Sequence, residues 1–494
     1  MDLPELFVSL SNIPAWYALL IVIAALFLVN STPSDCLDIP AVKYGRLLPN
    51  FVNRRLFYVV GHVQIQKGYD KYKNLPFRIL KPDGDLIVLP ARYLDEVRQM
   101  SPKKLGLVDN EFKNVLGECT VDSGLAAQAM AQMNPVLDYI IPRVVAELQH
   151  AITVELPSCK DWTPINLYTT VLRLVSRSVS CITVGDVICR DEQWLDVVAS
   201  YTTNMDLAMT TLRPFPSFLR PIVARFLPSV QRLKHQFHWV QHELLIPVIQ
   251  SRRYAEFNDP YFRKHEDLIQ WTMDLAGNAL DRDPALIARD LMTVTSLTMV
   301  RSSAVLLTQA LYDLIARPEY LEPLRKEIRE TFRDGWKNVK QGSLRGQHLL
   351  DSFLRESCRW NPSQEINVHR IVKRPLMFSD GLAIPKGAHI CFATGPISRD
   401  PAIVPGVDEF NGFRWYKSPS ANPDLGLHFG FDRGAYPGRV VAVNTAKLIM
   451  SRLLQGYEFE FEGRGRPANV RTGEQILPDT TVRVVMRERN GTNK

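Results

Sequence analysis

Cysteine is scarce in this chain. Seven occur in 494 residues, at Cys36, Cys119, Cys159, Cys181, Cys189, Cys358 and Cys391. No two form a Cys-x-x-Cys pair, and none lies beyond Cys391. An odd, scattered set excludes a disulfide framework and implies a reducing compartment with buried thiols. A basic tract is also missing. The net charge of +7 is spread along the whole chain, and no zinc-finger or basic-zipper spacing occurs, so nucleic acid is excluded as a partner. Phosphate loops, dinucleotide fingerprints, zinc motifs and a Ser-His-Asp order are absent too, as are internal repeats and low-complexity segments. What remains is 46% hydrophobic and 22% charged residues, an ordinary globular composition. The chain is long enough to bury a large core and to enclose a ligand cavity.

One run stands out. Residues 13–29 (IPAWYALLIVIAALFLV) carry no charge, enough for a short membrane helix, with Trp16 and Tyr17 at one end as interfacial anchors. The preceding stretch has Asp2 and Glu5 but no basic residue, unlike a cleaved signal peptide. Lys43, Arg46, Arg54 and Arg55 follow the run, so the positive-inside bias places the body in the cytosol. The expected organisation is a transmembrane signal anchor over 1–31, a linker over 32–55 and one domain over 56–494.

Within the body, FRILKPDGDLIVLP sets a Pro-Asp-Gly-Asp turn between two β-rich runs and predicts a hairpin. Residues 120–330 carry long helix-period segments. From Asp283 to Ala316 small and apolar residues occupy nearly every face, the pattern of a helix buried through a large domain, ending at Arg317-Pro318. Strand-like pieces follow from 366, and a last helix is expected around 438–455. The fold class is mainly α with small β-sheets (α+β).

Four motifs then fall in one order. Glu356-Ser-Cys-Arg359 puts an acid and a base on one helix face, and Arg414 in FNGFRWY is placed to complete a buried ion-paired cluster. SDGLAIPKGAHI and HFGFDRGAYPGR come next, and YDLIARPEYLEPLRKEI follows the long apolar segment. Together these resemble the cytochrome P-450 family, the heme-thiolate monooxygenases, with a fungal flavour, over essentially the whole chain after the anchor. The resemblance implies a P-450-like fold on a single N-terminal membrane anchor helix. It also implies an endoplasmic-reticulum location with a cytosolic catalytic domain, and a lipophilic substrate from fungal specialised metabolism.

The chain departs from the family pattern at three places. In the loop Phe-Gly-x-Gly-x-(His/Arg)-x-Cys-x-Gly, the cysteine that ligates iron is Tyr436, the turn glycine is Asp432, and the basic position is Gly434. Tyrosinate can ligate heme iron, but its oxygen lies further from the backbone than a cysteine sulfur. Between Asp122 and Arg143, where the family presents a basic or Trp residue to the heme propionates, there is no Lys, Arg, His or Trp. Only His369 keeps a family-like propionate position. In the long apolar segment, the residues matching (Ala/Gly)-Gly-x-(acid or His)-Thr-(Thr/Ser) are Thr298, Met299, Val300, Arg301, Ser302 and Ser303. Met299 would fill the oxygen groove, and Arg301 is a permanent cation that cannot relay a proton, while Ser302 keeps a hydroxyl.

These losses lead to an expectation of no cofactor and a non-redox step, a cyclisation, isomerisation or pericyclic reaction. Strand alternation in NPSQEINVHRI would put Glu365, Asn367 and His369 on one face. Glu365 would then serve as general acid or base and Arg301 would stabilise developing negative charge, with Ser302 beside it. The structural alternative is that Glu365 and Arg301 pair with each other or with backbone groups. Two further functions stay open: a tyrosinate-ligated heme monooxygenase, with Tyr436 on the metal, His369 on the heme and a flavoprotein reductase as partner, and a non-catalytic partner of an active pathway enzyme.

Overall fold

The computed structural model describes residues 38–45, 47–82, 84–101, 103–106, 129–133, 135–212, 215, 219–278, 281–416, 438–463 and 465–489. The expected anchor and the loop holding Asp432, Gly434 and Tyr436 lie outside them.

Seven helices matter for the site: α1 (Asn50–Lys71), α2 (Leu137–Glu155), α3 (Leu167–Thr183), α4 (Glu192–Leu212), α5 (Pro284–Ile315), α6 (His348–Trp360) and α7 (Arg439–Gly456). The apolar segment expected to be a buried helix is α5. Asp283 caps it by accepting from the Ala285 amide at 2.9 Å, and Pro284 occupies the first turn, where its missing N–H costs nothing. This helix is long and apolar enough to cross a membrane, yet 72% of its most apolar window is buried by protein. That makes it the core helix of the body. Its middle, Val294–Val300, widens into a π-helical turn, a distortion that occurs often at functional sites.

Helix α6 lacks a side-chain cap of its own. The Glu327 carboxylate supplies one from a distance, accepting from the Leu349 and Leu350 amides at 2.6 and 2.9 Å, and thereby offsets the positive end of the helix dipole. The last helix, α7, runs over the expected residues and packs against α5.

The main sheet has six short strands in the order β1-β2-β3-β9-β6-β4. They are β1 (Ala41–Val42), β2 (Phe77–Ile79), β3 (Leu86–Leu89), β4 (Leu105–Gly106), β6 (Asn367–Val372) and β9 (His389–Phe392). Strands β2 and β3 pair antiparallel, Phe77 opposite Val88, as the turn signal predicts. Of the remaining strands, β5 (Thr163–Asn166) joins β10 (Tyr457–Phe461) and β13 (Arg483–Glu488) in a second sheet. Two hairpins complete the set: β7 (Leu376–Met377) with β8 (Ala383–Ile384), and β11 (Val470–Thr472) with β12 (Gln475–Leu477).

Sheet and helix begin earlier than composition suggests, since β1 and the opening of α1 fall within 32–55. Asn53 ties this stretch down. Its side chain accepts from the Tyr44 amide at 2.9 Å and donates to the Leu48 carbonyl at 2.8 Å. A large helical core is built around α2, α3, α4, α5 and α7, and a smaller core lies between α1 and the six-stranded sheet. Residues 361–372 connect the two.

Candidate functional site

The acid-base helix face reads as expected. Glu356 is wholly buried and Arg359 meets it with two hydrogen bonds, Nε at 2.9 Å and Nη2 at 2.8 Å. Arg414 adds its Nε at 3.2 Å to each carboxylate oxygen, and the Asn411 amide donates at 3.0 Å. The outer guanidinium nitrogens continue to the carbonyls of Gly406, Val407 and Glu409. One carboxylate thus fixes the irregular stretch 405–414, which leads toward residues 417–437.

Past α6 the chain enters β6, and the alternation expected there breaks. Asn367 pairs with Phe392 and Arg370 with Ile390, so two residues on β6 oppose the single residue Cys391 on β9. This is a bulge, and its pivot is Val368 at φ 56°, a conformation that a β-branched residue rarely adopts. Val368 is held there partly by a 2.8 Å bond from its own amide to the Asn367 side chain. Glu365, Asn367 and His369 therefore do not form one row on a regular strand.

Each proposed catalytic residue has found a different partner. Glu365, 2% exposed, accepts from Arg399 Nη2 at 2.5 Å, with Arg471 Nη1 at 4.0 Å. Its carboxylate lies so close to Gly395 that a Cβ there would sit 2.0 Å from Oε2, so a larger residue would push the carboxylate aside. Arg301 pairs with Asp206 of α4 at 2.7 Å. Tyr168 of α3 senses both charges, and burial pushes its phenol up. The Ser302 hydroxyl donates back to the Thr298 carbonyl within α5. The expected arrangement of Arg301 opposite Glu365 is thus replaced by two separate ion pairs, because an arginine satisfies the nearest acid whatever the sequence alignment suggests. Met299 is buried, 1% exposed.

His369 is buried, and its Nδ1 lies 3.1 Å from His389 Nε2, so one ring donates and the other accepts. Burial lowers its pKa to about 4, with Glu474 opposing the shift. It is a neutral ring at neutral pH, not a cation for a carboxylate. Its neighbour Arg370 carries no motif that marks it in the sequence. Arg370 is a buried guanidinium whose Nη1 donates to the His369 carbonyl at 2.8 Å. Its only signal was the permanent charge beside the histidine.

Three hydroxyls of α5, on Thr295, Ser296 and Ser303, are buried and without a hydrogen-bond partner among the described residues. Neither Cys358 nor Cys391 offers a thiolate. Burial pushes the Cys358 thiol up to about 12 and raises that of Cys391 further, and Cys391 Sγ donates to the Ile87 carbonyl at 3.7 Å.

The family model of cytochrome P-450 matches residues 125–485. Among curated proteins, the cytochrome P-450 monooxygenase paxP of Penicillium paxilli is 40% identical over 95% of this chain and 94% of its own length. The cytochrome P-450 monooxygenase AtmP of Aspergillus flavus is 40% identical over 96% and 95%. The monooxygenase ptmP of Penicillium ochrochloron is 35% identical over 95% and 93%.

These findings correct the expectation of a cofactor-free protein. A family match across most of the chain, with relatives named monooxygenases over nearly their full length, points to heme. The described residues fit such a group, which brings two carboxylates and an iron. A buried guanidinium at Arg370 suits a carboxylate, and the buried Ser303 hydroxyl has no partner among the described residues. The lack of Lys, Arg, His and Trp between Asp122 and Arg143 is a feature of one short segment, whereas the relatedness spans nearly the whole chain.

Proposed function

The chain belongs to the cytochrome P-450 family, and from that premise we propose that it is a heme monooxygenase of fungal specialised metabolism acting on a lipophilic substrate. The observation that carries this reading is the 40% identity to named monooxygenases over 95% of the chain, supported by the assembled Glu356–Arg359–Arg414 cluster. The apolar run 13–29 would anchor it in the endoplasmic-reticulum membrane with the body in the cytosol, and a flavoprotein reductase would supply electrons.

When bound, heme supplies the oxygen chemistry, and the protein supplies binding, orientation and the surrounding field. Arg370 would hold a heme carboxylate, leaving His369 a neutral wedge against His389. Tyr436 is the oxygen donor available where the family has its sulfur. An oxygen ligand of this kind is compatible with heme but donates less electron density than a thiolate. Along α5, Met299 and Val300 present a dry surface. Arg301, fixed by Asp206, holds positive charge without releasing a proton. The proton-bearing groups on this stretch are the hydroxyls of Ser302, now donated to Thr298, and Ser303.

The test is iron content and the absorption spectrum of the full-length chain expressed with ample heme, beside Tyr436→Cys and Tyr436→Phe. The parent should carry stoichiometric heme with an oxygen-ligand spectrum. The cysteine variant should acquire a thiolate-type spectrum in its reduced carbon-monoxide complex, and the phenylalanine variant should lose most of its iron. A folded, colourless parent sinks the reading.

A further inference from the structure

Far along the chain from these residues, a cleft of about 360 Å³ opens between the edge strand β1 and the last turns of α1. Its walls are Ala41, Val42, Lys43, Lys67, Lys71 and Tyr72. Lys67 and Lys71 are four apart on one helix face, and Lys43 follows directly from β1. The next lysine, Lys73, is already bonded to Asp400 at 2.5 Å. The three in the cleft form no ion pair among the described residues. Two of the ammonium groups rest on aromatic rings instead: Lys67 Nζ is 5.5 Å from the Tyr44 centroid and Lys71 Nζ is 4.9 Å from that of Tyr72. The nearby acid Asp70 is engaged by Gln66 at 2.9 Å.

Apolar side chains flank these lysines in the chain. Tyr44 is half exposed, Leu47 is fully exposed and Leu75 is 58% exposed. Leu47 lies in the turn after Lys43, and Leu75 in the turn after Tyr72, whose carbonyl accepts its amide. A compact tri-cationic cleft suits a phosphate. Exposed apolar residues next to its walls in the chain suit the boundary between lipid headgroups and acyl chains. The uncharged run 13–29 precedes the cleft closely in sequence.

We propose that Lys43, Lys67 and Lys71 form a binding site for the phosphate of an anionic phospholipid headgroup, orienting the body on the membrane surface. The lipid source is favoured over a free phosphate because the exposed leucines have no use in binding a soluble anion.

The experiment places the full-length chain in nanodiscs of phosphatidylcholine, alone or with phosphatidylserine, and follows acetylation of individual lysines by mass spectrometry. A third arm holds the chain in neutral detergent with inorganic phosphate. Phosphatidylserine should slow acetylation of Lys43, Lys67 and Lys71 by about fivefold each, while exposed Lys337 on the far part of the chain is unchanged. The exposed double variant Lys67→Gln/Lys71→Gln should fold as the parent and abolish the protection of Lys43. Equal rates in both nanodiscs, equal protection by inorganic phosphate, or undiminished protection of Lys43 in the double variant would each overturn the proposal.

Discussion

Two buried glutamates flank the end of α6, and they differ in how they are satisfied. Glu356 is met by two arginines and a backbone amide, all from α6 itself or the stretch 405–414, and every hydrogen-bonding direction is filled. Glu365 is met by Arg399 at close range and Arg471 at the limit of an ion pair, and both arginines reach solvent, at 30% and 46% side-chain exposure. A buried acid is therefore not by itself a catalytic acid. Glu356 is locked scaffold, whereas Glu365 is a clamp whose counter-charges can relax into water.

The comparison can be broken at three points. Glu356→Ala strands Arg359 and Arg414 without their shared anion, and the loss should be about 3–5 kcal/mol, read as a large drop in melting temperature and loss of any bound heme. A variant as stable as the parent would show that the cluster is dispensable. The strand just beyond Glu365 is tested by pH. His369 has a folded pKa of about 4, below its unfolded value of about 6.5. The unfolded chain thus binds the extra proton first, so the stabilisation is complete above the unfolded value and is lost as pH falls toward 4. The full loss is about 3 kcal/mol, and His369→Gln should flatten this part of the stability-pH curve. An unchanged acid limb would mean that His369 is charged in the native state. Smallest is Glu365→Gln, expected to cost about 1–2 kcal/mol and to leave turnover per bound heme unchanged. A collapse of turnover without loss of stability would restore Glu365 to the chemistry.

Much of the frame was legible in the sequence. The Glu356–Arg359 pair lies within one helical turn, the β2–β3 turn is local, and the all-round apolar character of α5 is a property of one segment. The site was less legible because its partners are remote. Arg301 chose Asp206, almost a hundred positions away, and Glu365 chose Arg399 and Arg471 across loops that no periodicity marks. The Val368 bulge also defeats the strand rule, since one residue at positive φ re-aims everything after it. Arg370 is not legible in the sequence, because an arginine after a histidine has no distinguishing spacing.

The tip of the β11–β12 hairpin sets one further condition. Gly473, at φ 61°, donates its amide to the Tyr58 carbonyl, and a Cβ on Gly61 would lie 2.7 Å from the Gly473 oxygen. The bend in α1 at Val60 receives this tip directly. During synthesis, then, α1 leaves the ribosome about 400 residues before Gly473 arrives to complete its seat. Until that moment its inner face needs shielding, and a stop codon anywhere before residue 473 leaves the first helix without the piece that closes over it.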